Sequence, residues 1–128
     1  MPYSLYTAAL LSLLLIGLSL NVSRLRFRYR VSFGDGGNPA LTTAIRAHGN
    51  SLEQSLLFIV LIYFLEIVAA LDRVWVMGLT GSFIGLRVLY CVSLFGRHRR
   101  LRQFSHGLTM LVLLVATLLL LFQGLSGR

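Results

Sequence analysis

The chain has 128 residues, of which 56% are hydrophobic and only 12% charged, with a mean hydropathy of +0.79 and a formal net charge of +8. So much apolar surface excludes a soluble domain of this size and places the chain in a bilayer. The basic charge is carried by twelve Arg and no Lys, against four acids. Most of the arginines cluster where apolar runs end, which fits membrane orientation better than nucleic-acid binding.

Four apolar runs, 5–22, 52–71, 74–95 and 108–125, each come close to the ~20 residues a helix needs to cross ~30 Å of hydrocarbon. The predicted fold is therefore all-α, an integral-membrane four-helix bundle, with residues 1–128 forming a single domain. Chemistry has to come from the helices and two basic loops, because four spans leave no room for a soluble catalytic domain. Arg24, Arg26, Arg28 and Arg30, and again Arg97, Arg99, Arg100 and Arg102, follow the positive-inside rule and place both loops in the cytoplasm. Both termini and the short turn at Asp72 and Arg73 then face the other side. The lone Cys91 sits inside a span, so no intrachain disulfide is expected.

The first run lacks a preceding basic residue and a following A-x-A pattern, so it reads as a retained span and not as a cleaved signal. After it, SRLRFRYRV (23–31) alternates arginine with apolar residues. A basic ribbon or a helix end lying along the headgroups both fit, with Arg26, Arg28 and Arg30 snorkelling to phosphate and Arg24 best placed to point inward. FGDGGNP (33–39) is the strongest breaker in the chain. Its glycines permit positive φ, Asn38 suits an N-cap and Pro39 the first helical position, whereas a phosphate-binding loop would need a lysine that is absent.

Helix two is expected from Pro39 to Leu71, about 50 Å at 1.5 Å per residue, so its first turns must protrude from the membrane. They carry RAHGNSLE (46–53). At 100° per residue Arg46, Asn50 and Glu53 fall within about 60° of one another, a cation, an amide and a carboxylate on one face at the edge of hydrocarbon. Such groups need partners from neighbouring helices or from a ligand. His48 points away from them and reads as a surface residue. Glu66, on the opposite face near the far end, reads as an interfacial or inter-helix hydrogen-bonding residue.

Helix three carries Gly78, Gly81, Ser82 and Gly85 as a small-residue stripe suited to close helix approach, with Arg87 about 180° around from it. Arg87 should lie about 12 Å into the membrane, where an unpaired arginine costs at least ~2.5 kcal/mol. An ion pair with Glu53 would relieve this and is compatible with a functional role. The last span has little polar content beyond Thr109, Thr117 and Gln123 and reads as a packing or lipid-facing wall. No metal-ligand spacing and no nucleophile–base–orienter arrangement is visible. Arginine, which pairs carboxylates bidentately and stays charged, is the chemical resource of the chain. Beside the opposite polarity of Glu53 and Asn50, it suits a small zwitterionic peptide.

The RAHGNSLE string, preceded by the arginine run and the GDGG turn and followed by an apolar span, resembles the membrane-associated proteins in eicosanoid and glutathione metabolism (MAPEG), especially small bacterial members. The resemblance covers essentially the whole chain. It implies a homotrimer in a bacterial inner membrane, with glutathione as co-substrate bound between subunits. Its thiolate would attack a lipophilic electrophile or a lipid peroxide. Carried over by position, the resemblance assigns glutathione binding to Arg24, Arg46, Asn50, Glu53, Arg87 and Tyr90. It assigns thiolate stabilisation to Arg102, with Arg99 or Arg100 as alternatives across a one-residue gap. The implied partners are further copies of the chain, the bilayer and a lipophilic substrate, with no nucleic acid. Gly49, Leu94 and His106 depart from the family pattern. A non-enzymatic trimeric scaffold or ligand-binding protein with a degenerate site is therefore the competing expectation, and a cation exporter a weaker one.

Overall fold

A computed structural model describes residues 2–126. It contains α1 (Tyr3–Tyr29), α2 (Pro39–Tyr63) continued by a π-helical turn (Phe64–Val68), α3 (Arg73–Phe95) and α4 (Arg99–Leu125), with no strand among the described residues. α1 packs chiefly on α2 and α3 chiefly on α4, so the bundle is two helical hairpins set side by side. All four helices, with α2 and its π turn counted as one, are long and apolar enough to cross a membrane. Their outer faces expose Leu13, Leu20, Leu114, Leu118 and Leu121, as expected where the surrounding solvent is lipid.

Each helix begins before the apolar run that announced it. α1 continues through the arginine alternation to Tyr29 and stops when Arg30 enters the left-handed region at φ 55°. The alternating stretch is thus a helix end, not a ribbon. Arg26 turns back into the chain, its Nη1 donating to Gly34 O at 2.7 Å and Val31 O at 3.3 Å. Of the three arginines expected to reach for phosphate, Arg26 is thus held by backbone carbonyls, while the Arg28 guanidinium lies 5.6 Å from the Tyr29 ring centroid. Gly34, Gly36 and Gly37 all adopt positive φ, as the turn requires. Asp35 Oδ1 accepts from Gly37 N at 2.9 Å and Oδ2 from Thr42 Oγ1 at 2.8 Å, which holds the exposed carboxyl below the ordinary aspartate pKa. Asn38 caps α2, its Oδ1 accepting from Leu41 N at 3.0 Å, with Pro39 following it.

The predicted regular helix to Leu71 is corrected at its far end. From Phe64 the ladder widens to a π turn, and Ala69 N donates to Phe64 O at 2.8 Å. A left-handed Ala70 (φ 53°) then closes the helix, with Leu71 N reaching Leu65 O at 2.8 Å. The wide turn lies where Glu66 meets α1. Its two carboxylate oxygens accept from Tyr3 N and Ser4 N, each at 2.7 Å, and so satisfy two of the N–H groups that every helix start leaves open. The expected inter-helix role of Glu66 is what the geometry shows. Beside it the Arg73 guanidinium lies 4.5 Å from the Tyr3 ring centroid, which brings the start of α1 to the α2–α3 turn.

The main core fills that half of the bundle. Leu11, Phe58, Leu65, Val76, Phe83 and Ala116 are buried there, and Phe58 and Phe83 stack with ring centroids 4.1 Å apart and planes 1° from parallel. Smaller clusters continue towards the basic loops, first Leu18, Ala47, Tyr90, Cys91 and Leu94, then Leu25, Leu41 and Ala44. The small-residue stripe of α3 is not a close-packing seam within the chain. Gly78, Gly81, Ser82 and Gly85 are exposed, and a Cβ added at any of the three glycines would meet nothing within 4 Å.

A polar cavity backed by a buried arginine

Between the hairpins, at the end carrying the basic loops, three helices enclose a cavity of about 500 Å³. α2 lines it with Arg46, Gly49, Asn50 and Glu53, α3 with Tyr90 and Leu94, and α4 with Arg102, Gln103 and His106. The spacings are those of single helix faces: 0, 3, 4 and 7 on α2, 0 and 4 on α3, and 0 and 4 (Arg102 and His106) on α4, with Gln103 at the edge of the last. Two guanidinium groups and one carboxylate give the lining a net positive charge. Among the described residues Glu53 forms no ion pair, so its acceptors remain open to a cationic group.

Behind the lining lies Arg87, with none of its surface exposed. Its Nη1 donates to Asn50 Oδ1 at 2.7 Å and its Nη2 to Thr109 Oγ1 at 3.4 Å, while Nε has no hydrogen-bond partner. The guanidinium carbon sits 4.6 Å from the Tyr90 ring centroid and 5.9 Å from that of Phe83, so aromatic faces supply part of the stabilisation a counter-ion would give. The expected ion pair with Glu53 is not formed. A neutral amide and a hydroxyl take that place, and Glu53 is exposed instead.

This arrangement fixes the orientation of Asn50. Arginine has only donors, so the atom facing Nη1 must be the amide oxygen, and the Nδ2 hydrogens are left for the cavity. Asn50 therefore offers donors, suited to a carboxylate or peptide carbonyl. Tyr90 links the buried arginine to the lining, since its ring also lies 6.3 Å from His106. Further back, Ser51 Oγ and Cys91 Sγ are 3.6 Å apart and both buried.

Five of the expected site residues, Arg46, Asn50, Glu53, Tyr90 and Arg102, thus line one cavity, and Arg87 supports it from behind. Arg102 is the arginine of the second loop that reaches this lining, whereas Arg99 lines a neighbouring cavity and Arg100 is exposed. Arg24 stands apart: it is exposed, and its Nη2 donates to Asn21 Oδ1 at 2.9 Å. The sequence reading missed Gln103 in the lining and Thr109 as a partner of Arg87. Thr109, seven residues after Arg102, shares a helical face with it and His106, so the period of that face was the signal for Thr109; Gln103, 100° around from Arg102, carried no such signal.

The MAPEG family profile matches residues 4–122. The chain belongs to the MAPEG family. It is similar to the "Inner membrane protein YecN" of Escherichia coli strain K12, with 39% identity over 100 residues that make up 78% of this chain and 73% of the relative. The protein of the same name from Escherichia coli O6:H1 matches to the same extent. No solved structure matches significantly. Family membership accounts for the four-span layout of this MAPEG chain, and the α2 string that carried the resemblance lies along the cavity.

Proposed function

We propose that this MAPEG protein is a glutathione-dependent transferase or peroxidase of the bacterial inner membrane, and that it works as a homotrimer. The observation that carries the reading is the convergence of Arg46, Asn50, Glu53 and Arg102 on one cavity. Glutathione has carboxylates, an ammonium group, peptide carbonyls and a thiol. The lining offers a matching group to each: guanidinium forks for anions, Glu53 for the ammonium and the Asn50 Nδ2 donors for a carbonyl. The likeness to an inner membrane protein supports the location.

In this reading Arg102 stabilises the thiolate. A free thiol of pKa ~8.5 is only a few per cent ionised at pH 7, and lowering it by one to two units takes roughly 1.4 to 2.7 kcal/mol. A single partly desolvated guanidinium supplies this, and Arg102 is half-buried at the cavity. The thiol proton passes to water. The sulfur lone pair then forms a bond to the electrophilic atom of a lipophilic substrate, and the leaving group departs with its bonding electrons. With a lipid hydroperoxide, the thiolate attacks the terminal oxygen, an S–O bond forms as the O–O bond breaks, and the alkoxide leaves, taking a proton from water to become the alcohol and leaving a sulfenic acid on the glutathione sulfur. A second glutathione then completes a disulfide and releases water. Arg46, Asn50 and Glu53 hold the peptide, Tyr90 forms the wall, and Arg87 acts through Asn50 as a positioning residue. Arg24 joins a site only if another subunit presents it there, since it lies outside the cavity of its own chain.

Titration of glutathione into the purified protein in detergent, followed by thiolate absorbance in the ultraviolet at neutral pH, tests the reading. A saturable rise is expected, and Arg102→Ala should abolish it and conjugation while leaving assembly intact. Absence of both the rise and any binding heat would overturn the enzyme reading in favour of a scaffold.

A further inference from the structure

A second cavity, of about 360 Å³, adjoins the first at the start of α4. Its polar lining consists of Arg97, His98, Arg99 and Arg102, with Thr43 from α2 and Ser93 from α3. No acidic residue lines it, and none of the three arginines forms an ion pair among the described residues. Like charges are held together here by the fold: His98 N donates to Ser93 O at 2.8 Å and Arg97 N to Leu94 O at 3.3 Å, folding the loop back onto α3. Arg97 takes a left-handed conformation (φ 60°) that is sterically costly for any residue with a Cβ. Converging guanidinium groups without counter-charges call for an anion, and their fork geometry suits phosphate oxygens.

Position narrows the source. Arg97 and Arg99 lie two and four residues beyond Phe95, the exposed aromatic that ends α3, and the exposed Phe104 follows on the first turns of α4. The cavity therefore lies where hydrocarbon gives way to headgroups, at the depth of lipid phosphates. A zwitterionic headgroup would bring a cation into a pocket that has no acid to receive it. We infer that this cavity binds the phosphodiester of an anionic phospholipid whose headgroup carries no positive charge. The inference does not rest on the glutathione reading, and its test leaves Arg102, which lines both cavities, unchanged.

Native mass spectrometry of the full chain in detergent, titrated with short-chain phosphatidylglycerol or phosphatidylcholine, tests this. Saturable retention of phosphatidylglycerol well above phosphatidylcholine is expected. Arg97→Gln/Arg99→Gln should weaken it about 30-fold, at roughly five- to sixfold for each guanidinium–phosphate hydrogen bond lost. Arg28→Gln/Arg30→Gln, which removes as much charge from the other cluster but nothing from the cavity lining, should leave it within about twofold. Equal retention of the two lipids by the wild-type protein would overturn the site whatever the variants do. An equal loss in both double variants would reduce it to general basicity and overturn it as well. Displacement of phosphatidylglycerol by inorganic phosphate at equal concentration would make it a free-phosphate site and overturn the lipid assignment.

Discussion

Arg87, near the basic loops, and Glu66, at the other end, are both charged groups within the spans, and they are satisfied in different ways. Glu66 receives two short backbone N–H bonds, one to each carboxylate oxygen. Arg87 is fully buried, has one short bond to a side chain and one long one, and leaves Nε without a partner. The first arrangement completes a helix terminus and leaves nothing over. The second is under-satisfied and stands directly behind a polar cavity. In a membrane, how completely a charge is paired separates a structural role from a functional one better than its presence does.

The most severe test of this contrast is Asn50→Leu. It removes the short bond and strands a buried charge, so a loss of about 3 kcal/mol is expected. Cys91, the buried thiol, provides the readout through a thiol-reactive dye during thermal unfolding in detergent. An unchanged midpoint would mean that Asn50 does not hold Arg87. Glu66→Gln comes next. It keeps one acceptor oxygen and loses the other, for about 1 to 2 kcal/mol, with glutathione binding unaffected. A drop in binding would erase the division between the two ends.

Arg87→Met sharpens the comparison from the other side. Exchanging an incompletely bonded guanidinium for apolar volume should change stability by less than about 1 kcal/mol. Glutathione affinity should nevertheless fall about tenfold, because the Asn50 amide is no longer oriented, one ~1.4 kcal/mol hydrogen-bond contribution. Affinity equal to wild type in calorimetry would remove Arg87 from the site.

The smallest effect belongs to Asp35. Its pKa is held below the usual 3.8 by bonds from Gly37 and Thr42, so its contribution to the turn is complete above 3.8 and is lost as pH falls through the lower folded value. The Gly37 amide resonance should titrate with a midpoint under 3.8, and a midpoint at or above it would show that the turn does not hold the carboxylate.

What the sequence disclosed follows from the range of the forces involved. Spans, the Asn38 cap, the Pro39 start and the common face of Arg46, Asn50 and Glu53 are set by neighbours within a few residues. Partner choice across helices is not. Opposite charge suggested Glu53 for Arg87, but packing brings Asn50 and Thr109 to it and leaves Glu53 at the cavity. Thr109 passed for wall because its hydroxyl sits in an apolar run, although its spacing of seven residues from Arg102 puts it on the cavity face. The π turn was equally hidden, since its wide ladder depends on where the chain must meet α1 and not on the composition of FLEIV.

The clamp on α1 also bears on how the protein is made. The N–H groups of Tyr3 and Ser4 are synthesised before the carboxylate that accepts from them, which follows about 60 residues later. The first helix must therefore enter the membrane with its leading end unfastened. Arrival of the second helix closes that end, so insertion and locking of α1 are separate events on the ribosome, and the second depends on α2.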